Sequence, residues 1–380
     1  MPTLKKLLKP NKPFTGKLYK TVLTAVLLFP LSLKAQYFFA YTDTANFLHV
    51  YDDGAIRRME DRPIKHYKAG TQFAAFATRM DYFRVSNSTG SVELSNGIPD
   101  NYTISRGMMA FFTSNSLWVY WKEKTTRLAF FAGDYSVTDS LVCFYDRTNA
   151  FKIFYNDIIY NINQVPVMNY RATRNIAAYN TNASMFKVFL RGKVRTLEQY
   201  EVYDYQVGQN TVGYLDQTGR LKAYNSGQVF DLEELTPNFY TVADDMILYH
   251  TKNNDFKVFY KDSVYRLETF EPPSYRIQDG LVYYSDEMGR LKVFDKGQLK
   301  IIEGFTPNNI KIFNNTLGFT NLYNHLMIYR DGEVRNISNE VVNNYWLNGD
   351  LIVYTTQNDI LVFVGKGFKP YRMRFNIQKY

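Results

Sequence analysis

Beyond about residue 36, apolar and polar positions alternate in short runs broken by glycine turns, and no window keeps the i, i+3, i+4 spacing of a helix. The runs recur. The segment "FKVF" at Phe186 returns as "LKAY" at Leu221, "FKVFY" at Phe256 and "LKVF" at Leu291, 35 residues apart each time. The period extends back through Phe151, Leu117, Phe83 and Leu48 and forward to Leu326 and Ile360, giving ten anchors spaced 34 or 35 residues. Self-similarity at this period marks a repeat architecture in which each unit buries its apolar faces against its neighbours.

Each unit predicts four strands. A run ending in an aromatic residue precedes the anchor, as at Tyr179, Tyr214, Tyr249 and Tyr284, and a polar loop such as "LDQTGR" joins the two. After the anchor, pairs such as Arg191-Gly192, Ser226-Gly227 and Lys296-Gly297 fit a type I′ hairpin, whose central residues need positive φ. A third run follows ("VRTLE", "VFDLE"), and counting back from the turn sets Arg220 opposite Glu233 and Arg290 opposite Glu303. A Tyr-x-Val-like segment then opens the next unit, at Tyr67, Tyr102, Tyr135, Tyr170, Tyr205, Tyr240, Tyr275 and Tyr345, with Ile310 in the same place. Short antiparallel strands with short connections predict an all-β chain, a β-propeller of about ten four-stranded blades over residues 36–380, with two smaller rings as the alternative. The Tyr-x-Val strands are expected innermost, their aromatic ring wedged between blades. A surplus segment, Phe375-Asn376-Ile377, is expected to complete the first blade and close the ring.

The stretch "LVYYSDEMGRLKVFDKGQLKIIE" resembles the blades of bacterial β-propeller repeat proteins of the quinoprotein-like and WD40-like kind. The resemblance covers the repeats but lacks the repeated tryptophan of quinoproteins, the Trp-Asp dipeptide of WD40 repeats and the paired glycines of kelch repeats. It therefore implies a fold and no cofactor.

Charge changes the picture at the N-terminus. Seven of the 45 Lys and Arg residues fall within residues 1–35 with no acid, leaving 38 basic against 36 acidic residues thereafter, a net of +2. That near-balance argues against a nucleic-acid track. The basic region, the uncharged apolar run 22–33 and Ala35 read as a signal peptide of residues 1–35 with Gln36 as the first mature residue. The run is too short for a span of about 20 residues. An exported protein, periplasmic, secreted or outer-membrane associated, is expected, without a stable transmembrane span after cleavage.

Candidate chemistry is sparse. The four histidines, His49, His66, His250 and His325, are scattered, Cys143 is the single cysteine, and acid-bearing loops such as "YDRTN" have too few carboxylates for calcium. No metal site is expected. Lys152, Lys187, Lys222, Lys257 and Lys292 hold one position in five successive units, either as stems covering aromatic residues or as a positive arc for an anionic glycan or acidic partner. The hairpin "LWVYWKEK" places Trp118 where lysine recurs and Trp121 before the turn, as a candidate contact surface or as core filling. The expectation is a non-enzymatic binding or scaffold module with a protein or glycan partner in the cell envelope. The alternative is a propeller-type glycan or peptide hydrolase or lyase, which a cluster of acids and a histidine at the channel mouth would favour.

Overall fold

The computed structural model describes residues 38–52, 54–87, 90–365 and 369–374. The expected signal peptide and the expected closing segment Phe375-Asn376-Ile377 lie outside the described residues. Every regular element described is a β-strand. The strands form nine four-stranded antiparallel sheets, each taken in chain order, and a first sheet with three described strands, Phe38–Thr42, Leu48–Asp52 and Ala55–Arg58. The sixth sheet is typical, running Tyr205–Val207, Thr211–Leu215, Leu221–Asn225 and Gln228–Glu233. Each anchor lies at or next to the start of the last strand but one of its sheet. First strands of successive sheets touch one another, so they form the inner wall.

Ten apolar clusters join each sheet to the next. One of them joins the tenth sheet to the first, where the rings of Tyr51 and Phe363 stack with centroids 4.2 Å apart. Beside it the Tyr41 hydroxyl lies 3.6 Å from the Met373 sulfur, and the Asn348 side-chain amide donates to the Phe38 carbonyl. The blades therefore form one ring of ten, and the two-ring alternative does not occur. A fully buried Leu or Phe contributes roughly 1.5–3 kcal/mol, so these interfaces hold the ring without a separate core.

The inner tyrosine is the wedge. Tyr345 is buried and its hydroxyl donates to the Gly318 carbonyl at 2.7 Å, and a Cβ on Gly318 would come within 2.8 Å of the Tyr345 ring. The equivalent seat, 35 residues apart along the chain, is small in several other blades, at Gly213, Ala178 and Cys143. This accounts for the lone cysteine, which is fully buried.

The hairpin turns are as the sequence predicts, with φ of 49° and 82° at Arg191 and Gly192 and of 49° and 105° at Ser226 and Gly227. The outer strands differ from the simple count. Each of seven successive outer strands, in blades two to eight, is shifted by one residue near the anchor, for example between Leu221 and Lys222 and between Leu291 and Lys292. This bulge sets Leu221 opposite Glu233 and Leu291 opposite Glu303, displacing the arginines. Arg290 instead pairs with Asp286 at 2.7 Å, and Glu233 with Lys257 of the next blade at 2.7 Å.

Candidate functional site

The five lysines sit half-buried between blades. Lys222, Lys257 and Lys292 each reach a glutamate on the outer strand of the preceding blade, Glu198 at 3.2 Å, Glu233 at 2.7 Å and Glu268 at 2.6 Å. The same glutamates accept from wedge-side hydroxyls, Tyr214 to Glu198 at 2.9 Å and Tyr284 to Glu268 at 2.8 Å. Lys152 pairs with Asp146 at 2.7 Å. Lys187 forms no ion pair among the described residues, because Asn163 and Thr181 stand where its neighbours have acids. The positive arc is thus largely matched by carboxylates, four of the five lysines tying two blades or a loop.

The two tryptophans face opposite ways. Trp118 packs toward the second blade, with its Nε1 buried and unpartnered among the described residues. Trp121 packs toward the fourth, its indole edge-on to Phe154 with centroids 6.1 Å apart. They do not share one surface.

The channel holds a feature that the repeat pattern conceals. The tight turns between first and second strands carry Arg106, Asp139, Arg174, Gln209, Asp244 and Asp279 in blades three to eight. Arg174 reaches Asp139 at 3.1 Å, Asp244 at 3.3 Å, Asp279 at 2.6 Å and the Gln209 amide oxygen at 2.7 Å. Arg106 crosses the channel, pairing with Asp279, lying 3.6 Å from Asp139 and placing its guanidinium 4.4 Å from the Phe313 ring centre. Burial pushes the Asp244 carboxyl above its ordinary value, against the pull of Arg174, and Asp279 adds to the rise. Gly70 is required here, since a Cβ would meet the Arg106 carbonyl oxygen at 2.5 Å.

This bridge separates two cavities that share Ser105, Arg106 and Asp139. One, of about 420 Å³, is lined by blades three to eight and their charged turns. The other, of about 440 Å³, is lined by Phe39, Phe313 and Trp346 together with Gly70, Thr71 and Asn348. Along the inner wall, the residue after the wedge is cationic in four of the nine described inner strands, Lys68, Arg171, Arg276 and Lys311; it is Trp346 in one, uncharged and polar in the rest, and never acidic. These side chains cover the free edges of neighbouring inner strands. Lys68 donates to the Tyr102 carbonyl at 2.8 Å, and Gln206 donates to the Tyr240 carbonyl at 2.9 Å while accepting from the Val242 amide at 3.1 Å. None of the four cations pairs with a carboxylate among the described residues.

A family model described as a 10-bladed beta propeller domain matches residues 32–370. The chain belongs to that family. No curated protein matches it. Among solved structures, the ten-bladed chain is similar to the computationally designed Ika8 protein, at 13% identity over 72% of this chain and 96% of that one, with a TM-score of 0.32. The tricorn protease matches at 10% identity over 89% and 47% of the two chains, with a TM-score of 0.31. Prp20p from Saccharomyces cerevisiae matches at 11% identity over 62% and 72%, with a TM-score of 0.31. Likenesses of this size carry no functional argument.

The two faces of the ten-bladed ring differ. Linkers between blades and the loops preceding the anchors share one face, and every large apolar side chain exposed in a described loop lies there, among them Met168, Tyr203, Leu235, Met288, Leu322 and Tyr323. Tyr203 is 83% exposed and borders a groove of about 540 Å³ between blades five and six. The acids of these loops are occupied by their own backbone: Asp216 accepts from the amides of Thr218 and Arg220, and Asp286 from those of Met288 and Arg290. Among the described residues no group of three potential ligands is placed to hold a metal. The four histidines lie in separate blades, and the acids at the channel turns are held by arginines rather than set beside a histidine. No helix of the described residues is long and apolar enough to cross a membrane.

The repeat pattern does not mark the channel residues, because no single residue type holds their position in every blade. The signal was the converse: turn and inner-wall positions whose identity changes from blade to blade while the frame around them stays fixed.

Proposed function

We propose that this ten-bladed propeller is an exported, non-enzymatic binding scaffold that holds a protein partner on the linker face of its ring, in the cell envelope. Export rests on the basic and apolar order of residues 1–35. The partner surface rests on one observation, the confinement of exposed loop hydrophobics to that face. Met and aromatic residues are enriched at interfaces, and a handful of them usually dominates the binding energy. Trp118 and Trp121, each turned toward a neighbouring blade, are assigned to packing, and the lysine row to blade pairing.

Mass spectrometry of the exported protein should find Gln36 first. Cross-linking in the native envelope should then capture a partner through the linker face. Tyr203→Ser combined with Leu322→Ser should keep the melting temperature and weaken that partner by about thirtyfold or more, the effect of losing one hot spot of about 2 kcal/mol. Full affinity in this variant would overturn the assignment of the face.

A further inference from the structure

We propose that the channel lobe between the ninth and third blades is a binding site for an acidic saccharide, with Trp346 as stacking platform and Lys311 and Lys68 as partners of its carboxylates. This goes beyond the linker-face reading and uses none of its residues.

The lobe has the size and mixture of a small-ligand site. Its volume of about 440 Å³ falls within the roughly 300–1,000 Å³ common for such sites. Phe39 and Trp346 form one wall, with ring centroids 6.2 Å apart, and Phe313 continues it. Gly70 and Thr71 also line the lobe, small residues that leave room beside the rings. An apolar wall alone would suit any hydrophobic guest. Here Thr71, Ser105 and Asn348 supply uncharged polar groups, which suits a molecule with one C–H face and a hydroxylated edge, and the two charged side chains that also line the lobe, Arg106 and Asp139, lie 3.6 Å apart and offset one another.

Charge narrows the class. Lys311 Nζ lies 5.8 Å from the Trp346 ring centre, and Lys68 directly precedes Ala69, which lines the lobe. Each ammonium has three donors. Among the described residues Lys68 has one acceptor, the Tyr102 carbonyl, and Lys311 has two, the Asn344 side-chain oxygen at 2.9 Å and the Tyr345 carbonyl. Both therefore retain donor capacity, and among the described residues neither meets a carboxylate. This contrasts with the outer lysines, whose charges are consumed by Glu198, Glu233 and Glu268. Arg171 and Arg276 extend the same sign along the channel wall and would draw an anion inward. A pyranose ring stacked on the indole would bring a ring carboxylate beside Lys311.

The test uses the full exported chain and three probes of equal length: hexagalacturonate, neutral maltohexaose and a hexaglutamate peptide. Calorimetric titration should show hexagalacturonate binding that weakens with added salt and exceeds both other probes by about tenfold or more. Lys68→Gln with Lys311→Gln should lower affinity by about tenfold or more and flatten the salt dependence, whereas Lys193→Gln on an outer strand should change nothing. Trp346→Ala should cost a similar factor. If that variant fails to fold, Trp346→Phe should bind measurably more weakly, and the lysine pair decides independently. Equal binding of hexaglutamate, no binding of hexagalacturonate by the wild type, or full affinity in the lysine variant would each overturn the proposal, even with the linker-face partner still bound.

Discussion

Arg106 in the third blade pairs with Asp279 in the eighth, 173 residues later in the chain, and so spans the channel of the ring. Asp279 is almost fully buried and receives Arg174 as well. A ring of ten blades has no central packing to fix its diameter, and this crossing supplies a contact that neighbouring blades cannot.

Removing the crossing should loosen the ring. Arg106→Met leaves Asp279 with one guanidinium fewer, and a destabilisation of about 1–3 kcal/mol is expected from loss of a hydrogen bond to a charged group. Arg106→Lys should not restore it, since one ammonium cannot serve Asp279 and Asp139 and also stack on Phe313. Urea unfolding of the two variants checks this, and unchanged midpoints would show that the crossing contributes no stability.

The tie between blades at Glu268 should be cooperative. Glu268→Ala deprives both Tyr284 and Lys292 of their acceptor, with an expected cost of about 1–3 kcal/mol. Adding Lys292→Met should cost less than the sum of the single changes, because the first has already removed the closer of the two carboxylates that Lys292 meets, leaving only Asp286 at 3.6 Å. A strictly additive cycle would refute the coupling.

Acid should act on the loops before the anchors. Burial alone would raise the carboxyl of Asp286, but hydrogen bonds from Arg290 and from backbone amides hold it below its ordinary value of 3.8. Asp216 is lowered in the same way, by Thr218 and the Arg220 amide. In that window the unfolded chain binds more protons than the folded one, so stability rises with pH, is complete above the ordinary value, and is lost as pH falls through the lowered values. Asp286→Asn with Asp216→Asn should flatten the acid limb of stability against pH. A limb of the same slope would point to other carboxylates.

Burial pushes the Cys143 thiol up to about 12. A thiol-alkylating reagent at neutral pH should leave the native protein untouched and label it at the rate at which it unfolds. Rapid labelling without denaturant would remove Cys143 from beneath its wedge.

Closure can be tested at its rings. Phe363→Ala removes the partner of Tyr51 at the seam between last and first blades, and a cost of about 3–5 kcal/mol is expected for truncating a buried Phe. A smaller cost than for Phe259→Ala at an interior interface would show a looser seam.

The strands, their order within a blade and the turns were readable because side-chain alternation and positive-φ turn residues are local properties. The wedge was readable from Tyr-x-Val, and its partners are those a buried phenol needs: Tyr240 donates to Asp204 at 2.7 Å and Tyr205 to Asn169 at 2.6 Å. The bulge was not readable, since it adds a backbone residue without disturbing alternation on the anchor strand, and the pairing of Arg220 with Glu233 fell with it. The opposed faces of Trp118 and Trp121 were legible, being three residues apart on one strand. The channel bridge was not, because no local pattern brings position 106 to position 279.

The recurring bulge also bears on what happens at the circumference. A disc with blades all round its rim offers outward strand edges, and exposed aliphatic side chains such as Val194, Val229 and Val264 sit on them. Flat edges of that kind would accept strands from another molecule and grow into fibres. The extra residue coils each bulged edge and breaks its ladder at a fixed place, so two discs meeting rim to rim cannot align their hydrogen bonds over more than a few residues. The backbone of seven outer strands thus opposes rim-to-rim pairing, alongside charged side chains such as Lys193, Arg195 and Lys300 on the same edges.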